Sequence, residues 1–178
     1  MGQAVASYPE QLLEQAEHLL RRDPRRPTQA NARRATSTAY YALFHFLADE
    51  AGRCFVGGRS SKRALRAAVA RALEHGSLRS ACERIASRGA PANLPAALRG
   101  CWDVSISPEL QQVAETLASL QELRHRADYD RATPIRRAQA SSSVFAARQA
   151  MRSWKRIRDE EVAAFLLAAL TWRNVAGR

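Results

Sequence analysis

Lysine is nearly missing from this chain: Lys62 and Lys155 are the only two, so arginine supplies almost all of the 28 basic residues. β-Branched residues are sparse as well. Val, Ile and Thr stand mostly singly and never alternate with polar residues, which excludes a sheet built on a period of two. Cys54, Cys82 and Cys101 are odd in number and lack the close spacing of a zinc site, so the expectation is three reduced thiols in a cytoplasmic protein. The longest apolar run, Val162 to Trp172, falls well short of the ~20 residues that cross a bilayer, and no membrane partner is expected. The first residues show no basic segment followed by an apolar one, so no secretory signal is expected there. Val56-Gly57-Gly58-Arg59-Ser60-Ser61-Lys62 lacks the spacing of a phosphate-binding loop, and no HExxH, CxxC or serine-elbow motif occurs. No two of His18, His45, His75 and His125 stand three or four residues apart, which excludes a two-histidine metal site on one helix. Neither a metal nor any other cofactor is expected.

What is present points to helix. Ala, Leu, Arg, Glu and Gln dominate, and 178 residues, 46% of them hydrophobic, suffice for one good core. Leu12, Leu13, Ala16, Leu19 and Leu20 recur at helical spacing until Asp23-Pro24-Arg25-Arg26-Pro27 breaks the pattern. Thr28 is placed to cap a second helix running to about Ala51, with Gly52 near its end and an apolar face of Ala32, Ala35, Ala39, Leu43, Phe46 and Leu47. Ser60-Ser61 opens a third helix to about His75, and a shorter one runs from Leu78 to Ser87. Gly89 to Ser107, with Pro91, Pro95 and Gly100, reads as a long loop with a helical turn around Ala96 to Leu98. Pro108 suits the first position of a helix striped by Val113, Leu117, Leu120, Leu123 and Ala127, ending near Asp130. The last helical region runs from Pro134 to about Asn174 with a bend near Asp159. The expectation is a single all-α domain over residues 1–178, an up-and-down bundle of about five helices with one long loop, its helical segments at 9–22, 28–51, 61–75, 78–87, 108–130 and 134–174.

Formal net charge is +11. An excess this large favours a polyanionic partner and says nothing about fold. Arg131 to Arg158 holds eight basic residues and no acid, and Arg53 to Arg71 holds six and no acid. A run of charge is most often a solvated face; two uninterrupted runs beside a candidate site point toward RNA.

Two segments carry chemistry. Arg34, Thr38, Tyr41 and His45 fall on one face of the second helix. Taken alone, that face is better explained by ordinary amphipathicity, with Tyr41 and His45 hydrogen-bonded at the core margin. Farther on, Leu123-Arg124-His125-Arg126-Ala127-Asp128-Tyr129-Asp130 puts Arg124 and Asp128 at i and i+4, a pair worth roughly 0.3–0.5 kcal/mol if exposed. A cluster of arginines with a tyrosine at a helix end also suits an anion, because a guanidinium grips phosphate through two parallel hydrogen bonds.

Arg-Arg-Ala-x-Ser-x-Ala-Tyr-Tyr-Ala-Leu-Phe-His from Arg33 to His45, followed about eighty residues later by Leu-Arg-x-x-Ala-Asp-Tyr-Asp from Leu123, resembles the HEPN superfamily. More narrowly, it resembles small bacterial members with an Arg-x-x-x-Asp-Tyr signature. The resemblance covers roughly Gln29 to Trp154, with its specific residues confined to those two segments. It implies a four- to five-helix bundle that forms a homodimer around a shared cleft. It further implies RNA or a nucleotide as ligand and activity as a metal-independent ribonuclease, a toxin-like component of a toxin–antitoxin or defence system with an antitoxin or other protein partner. The alternative it carries is a non-catalytic adaptor that binds a nucleotide or a partner protein.

One departure matters. The family's catalytic pattern is an Arg followed after four to six residues by a His, and none of the four histidines here has an Arg at that distance. Arg124 carries over as the signature arginine; the histidine does not. Tyr129 is a weak base at neutral pH, which leaves Asp128, or His45 arriving from the second helix, to move the proton. The expected catalytic set is therefore Arg124, Asp128, Tyr129 and His45, with Arg34, Tyr41, His125, Arg126 and Arg131 binding RNA or another anion.

Overall fold

The computed structural model describes residues 6–22, 28–87, 92, 94–100, 102 and 106–175. The proline-bearing break at 23–27, much of the stretch expected as a long loop, and Cys101 lie outside the described residues. Eight α-helices are found among the described residues: α1 (Tyr8–Arg22), α2 (Gln29–Val56), α3 (Arg63–Ala72), α4 (His75–Ala86), α5 (Ala96–Arg99), α6 (Pro108–Tyr129), α7 (Arg137–Trp154) and α8 (Asp159–Val175). No strand occurs among those residues, and no helix is long and apolar enough to cross a membrane. The described residues are thus all-helical, as the composition predicts, with eight α-helices where about five were expected.

The long helices begin where their side chains can satisfy free N–H groups. Glu10 reaches back over the start of α1: the backbone N–H and the hydroxyl of Ser7 both donate to its carboxylate at 2.8 Å. Those bonds, the backbone one first, hold the Glu10 carboxyl below its usual range. Thr28 accepts from the Asn31 N–H at 3.2 Å, and Ser107 from that of Leu110 at 3.2 Å, with Pro108 just inside the start of α6.

α2 is the hub of the bundle. α1, α3, α6 and α7 all pack against it, and α4 fills the space between α6 and α8. Its expected apolar face is buried in full, from Ala32 through Ala39 and Leu43 to Leu47. The alanines let neighbouring helices come close, and the leucines then meet Leu13 of α1 and Leu117 and Leu120 of α6 in one continuous core. α8, apolar nearly all round, buries Ala164, Phe165, Leu166, Ala168 and Ala169 within the same chain.

Three boundaries differ from the sequence reading, each for a packing reason. α2 continues past Gly52 to Val56. Gly52 is buried, and a Cβ there would meet the Arg66 carbonyl oxygen at 3.0 Å, so this glycine admits α3 instead of ending the helix. The end comes at Gly57, whose φ of +85° is a conformation that L side chains rarely adopt. The third helix stops at Ala72; Leu73 is buried, and His75 opens α4. The expected bend near Asp159 is a full break over Lys155–Arg158, where Trp154 and Ile157 both enter the core.

Candidate functional site

The two segments singled out in the sequence meet where the first half of α2 crosses the C-terminal end of α6. Arg33 makes the junction. Its Nη1 donates to the carbonyls of Arg126, Ala127 and Asp130 at 3.3, 2.9 and 2.8 Å, and its Nη2 to that of Thr133 at 2.7 Å. The last turn of a helix leaves carbonyls without partners, and a cation there satisfies them and complements the helix dipole. Gln29, one turn earlier, pairs its amide with the backbone of Ile135 through bonds of 3.0 and 2.9 Å. Asp130 caps the turn that follows, accepting from the N–H groups of Ala132 and Thr133. The end of α6 is therefore held to α2 through backbone atoms.

On that frame sits Arg124. Its Nη2 donates to the Tyr41 hydroxyl at 2.7 Å, and its Nε lies 2.8 Å from Oδ2 of Asp128. The charges are paired at that distance, yet Nε does not aim its hydrogen at an acceptor and stays without a formed hydrogen bond. The guanidinium carbon stands 5.4 Å from the Tyr41 ring centre and 5.7 Å from that of Tyr129, within cation–π range of both. Oδ1 of Asp128 accepts from Ser37 of α2 at 2.5 Å. Ser37 is buried, so this bond fixes the carboxylate from inside the protein. About a quarter of each side chain of the Arg124–Asp128 pair still meets solvent.

Arg34, Tyr41, Asp128 and Tyr129 line a shallow cleft of about 400 Å³ beside this pair. Tyr129 is 65% exposed, which leaves a ring face open to a ligand. The other expected residues stand apart from it. His125 is exposed and lies against Tyr129 at 5.0 Å between ring centres, outside the cleft lining. Arg126 contributes its carbonyl to Arg33, and Arg131 is exposed on the turn after α6; neither guanidinium lines the cleft. His45 stacks on Tyr41 at 6.4 Å and meets Tyr8 edge-on at 5.2 Å, one turn farther along α2. Burial lowers its pKa, against the pull of Asp49.

Sequence reasoning passed over His75 and Tyr40. His75 lies against Phe44, ring centres 3.8 Å apart, and meets Tyr41 edge-on at 6.1 Å. Its Nδ1 is 2.6 Å from the hydroxyl of Tyr40, a residue 1% exposed. Burial keeps that phenol protonated well beyond its usual range, and which of the two groups donates follows the tautomer of His75. His75 is held below its usual pKa by desolvation first, then by Arg124 and by His45. Arg124 acts on His75 and has no such effect on His45, which makes His75 the imidazole tied to the cluster. Its position at the first turn of α4 was the signal missed; read as the end of the preceding helix, it had no route to Arg124.

Chemically, the arrangement offers a guanidinium held by Tyr41 and Asp128, one exposed ring in Tyr129 and a carboxylate fixed by Ser37. That set suits a phosphate with a ring attached. Compared with protein-family models, with curated proteins and with solved structures, the chain finds no match in any of the three.

Proposed function

We propose that the chain is a HEPN-type domain whose Arg124 cluster binds a phosphate of RNA or of a nucleotide. The observation that carries the reading is the convergence of Ser37 and Tyr41 from one signature segment on Asp128 and Arg124 from the other, through bonds of 2.5 and 2.7 Å. Separately, each segment is ordinary helix; together they fix an arginine and a carboxylate beside a cleft. The arginine's second role, pairing with Asp128, keeps it positioned before a ligand arrives. The same reading carries a homodimer and a toxin-like or defence role, which rest on the resemblance alone.

Two outcomes of binding are distinguished by proton transfer. Metal-independent cleavage needs one group to take the proton of the 2′-hydroxyl as its oxygen attacks phosphorus, and another to protonate the departing 5′-oxygen. An imidazolium at His75 would suit the second step, and Asp128 is the carboxylate at hand for the first. One observation favours the adaptor reading, in which ligand binds and is not cut: desolvation first, then Arg124 and His45, hold His75 below its usual pKa, which disfavours the charged form that gives up a proton. An RNA-cleavage and RNA-binding assay in EDTA decides. Arg124→Ala is expected to weaken binding while the far-UV spectrum is kept. Loss of cleavage in His75→Ala with binding retained marks a ribonuclease; binding without cleavage in the wild type marks the adaptor. Unchanged RNA affinity in Arg124→Ala removes the site.

A further inference from the structure

The two acid-free basic stretches, separate in sequence, come together. On α7 and its C-cap, Arg148, Arg152 and Lys155 recur at i, i+4 and i+7, and on α3, Arg63 and Arg66 at i and i+3, so each helix turns its cations to one side. Those sides face each other across the C-terminal half of α2. Two adjoining clefts, of about 450 and 420 Å³, share Ser7, Asp49 and Arg53 and are lined by six cations against two carboxylates, Glu10 and Asp49. Three of the six already have work: Arg53 pairs with Glu50, Arg148 with Glu17 at 2.6 Å, and Arg66 donates to the carbonyls of Gly57 and Arg59. Arg63, Arg152 and Lys155 form no ion pair with any described residue. Glu10, moreover, is occupied by the Ser7 cap.

This basic cleft is joined to the Arg124 cluster by rings. Tyr8, 57% exposed, lies in the chain between Ser7 and Pro9, both of which line the cleft. It contacts His45 at 5.2 Å, His45 stacks on Tyr41 at 6.4 Å, and the Tyr41 hydroxyl holds Arg124. From Tyr41 to Arg53 the helix rises roughly 18 Å. An exposed ring beside a positive groove is what a single strand of nucleic acid needs: the groove tracks the phosphates, and the ring stacks on a base of any identity. A double helix offers no bases to such rings, and a single small anion would leave most of the cations unused. A lipid surface is flat, whereas these cations line recessed clefts.

We propose that a single strand of nucleic acid lies along α2, its phosphates in the basic cleft between α3 and α7 and its bases on Tyr8 and the rings beyond, so that it reaches Arg124. This rests on Arg124 as a phosphate site for its far end only. Asp49 is the one uncapped carboxylate on the path, and it opposes the strand. Burial raises its pKa, and Arg53 pulls the other way.

Fluorescence anisotropy of the full chain with labelled oligo(U), titrated with salt, tests it. The triple variant Arg63→Ala, Arg152→Ala, Lys155→Ala removes only exposed side chains without ion pairs, and its melting curve reports that the fold is kept. It is expected to weaken binding about tenfold or more at low salt and to flatten the log–log salt slope by about 2, from ~0.7 per phosphate contact on a single strand. Tyr8→Ala should weaken binding by at least about fivefold and leave the slope alone. Asp49→Asn should tighten it. An oligo(dT) arm identifies the sugar: binding of both strands fits, and preference for oligo(U) assigns RNA. If the triple variant binds like the wild type while Arg124→Ala does not, the cleft proposal is overturned and the Arg124 site stands. If the triple variant loses binding and Arg124→Ala does not, the cleft stands and the Arg124 reading falls. Equal affinity for a duplex of the same length, or binding to phosphatidylserine vesicles with none to oligo(U), overturns the single-strand assignment.

Discussion

Replacing Arg33 with alanine removes the clamp that holds the end of α6, and its cost can be worked from the bonds. Four carbonyls share two guanidinium nitrogens. A hydrogen bond from a charged donor is worth about 1.5–3 kcal/mol net, but the three on Nη1 divide one nitrogen and are not independent. Counting one good bond per nitrogen, and allowing water to reach carbonyls that are only part-buried, leaves about 3 kcal/mol. For a chain of 178 residues, that corresponds to a fall in Tm of about 6–12 °C. The matched control is Arg34→Ala, one residue away and exposed, which should stay within about 0.5 kcal/mol of the wild type. Differential scanning calorimetry of the three proteins under one buffer is sufficient. An Arg33→Ala Tm within about 2 °C of the wild type would refute the clamp, and with it the claim that α2 positions the end of α6.

The remaining expectations concern other parts of the molecule. Gly52→Ala should lower Tm: alanine's helix preference adds about 1 kcal/mol, but a Cβ 3.0 Å from the Arg66 carbonyl oxygen and 3.2 Å from its Cβ displaces backbone, at about 1–3 kcal/mol. Stability should also fall as pH drops from 7 to 5. His45 and His75 have folded pKa values below the unfolded 6.5, so the unfolded chain binds more protons in that window; the stabilisation is complete above about pH 6.5 and is lost as pH falls through the folded values. Urea midpoints against pH measure it, and a flat profile contradicts the assignment. Multi-angle light scattering should give a dimer mass at micromolar concentration; a monomer there counts against the HEPN reading.

Helix content and the faces of α2 and α6 were legible because burial follows a 3.6-residue period, and Leu43, Leu47, Val113 and Leu117 obey it. The pairing of Arg124 with Asp128 was legible too, since it lies within one helix. Contacts between helices were not. Nothing local marks Ser37 as the partner of Asp128, and Gly52 looks like a helix end when it is a crossing point. His75 illustrates the difficulty best: no proline or glycine separates α3 from α4 before it, and only the burial of Leu73 turns the chain there. The apolar run of α8, too short for a membrane, is mostly taken up by the chain's own core.

α3 is attached differently from its neighbours. It has no fully buried residue; Val69 and Ala70 are only partly covered, and it packs on α2 around Gly52. Lifting it away exposes little apolar surface, so opening this helix costs far less free energy than unfolding the whole molecule. Its amide hydrogens should therefore exchange with deuterium well before those of α2 or α6, by an opening that leaves the rest intact. Since Arg63 and Arg66 travel with it, one wall of the basic cleft is hung on the least costly motion in the bundle, and a bound polyanion would be read out as slower exchange across residues 63–72.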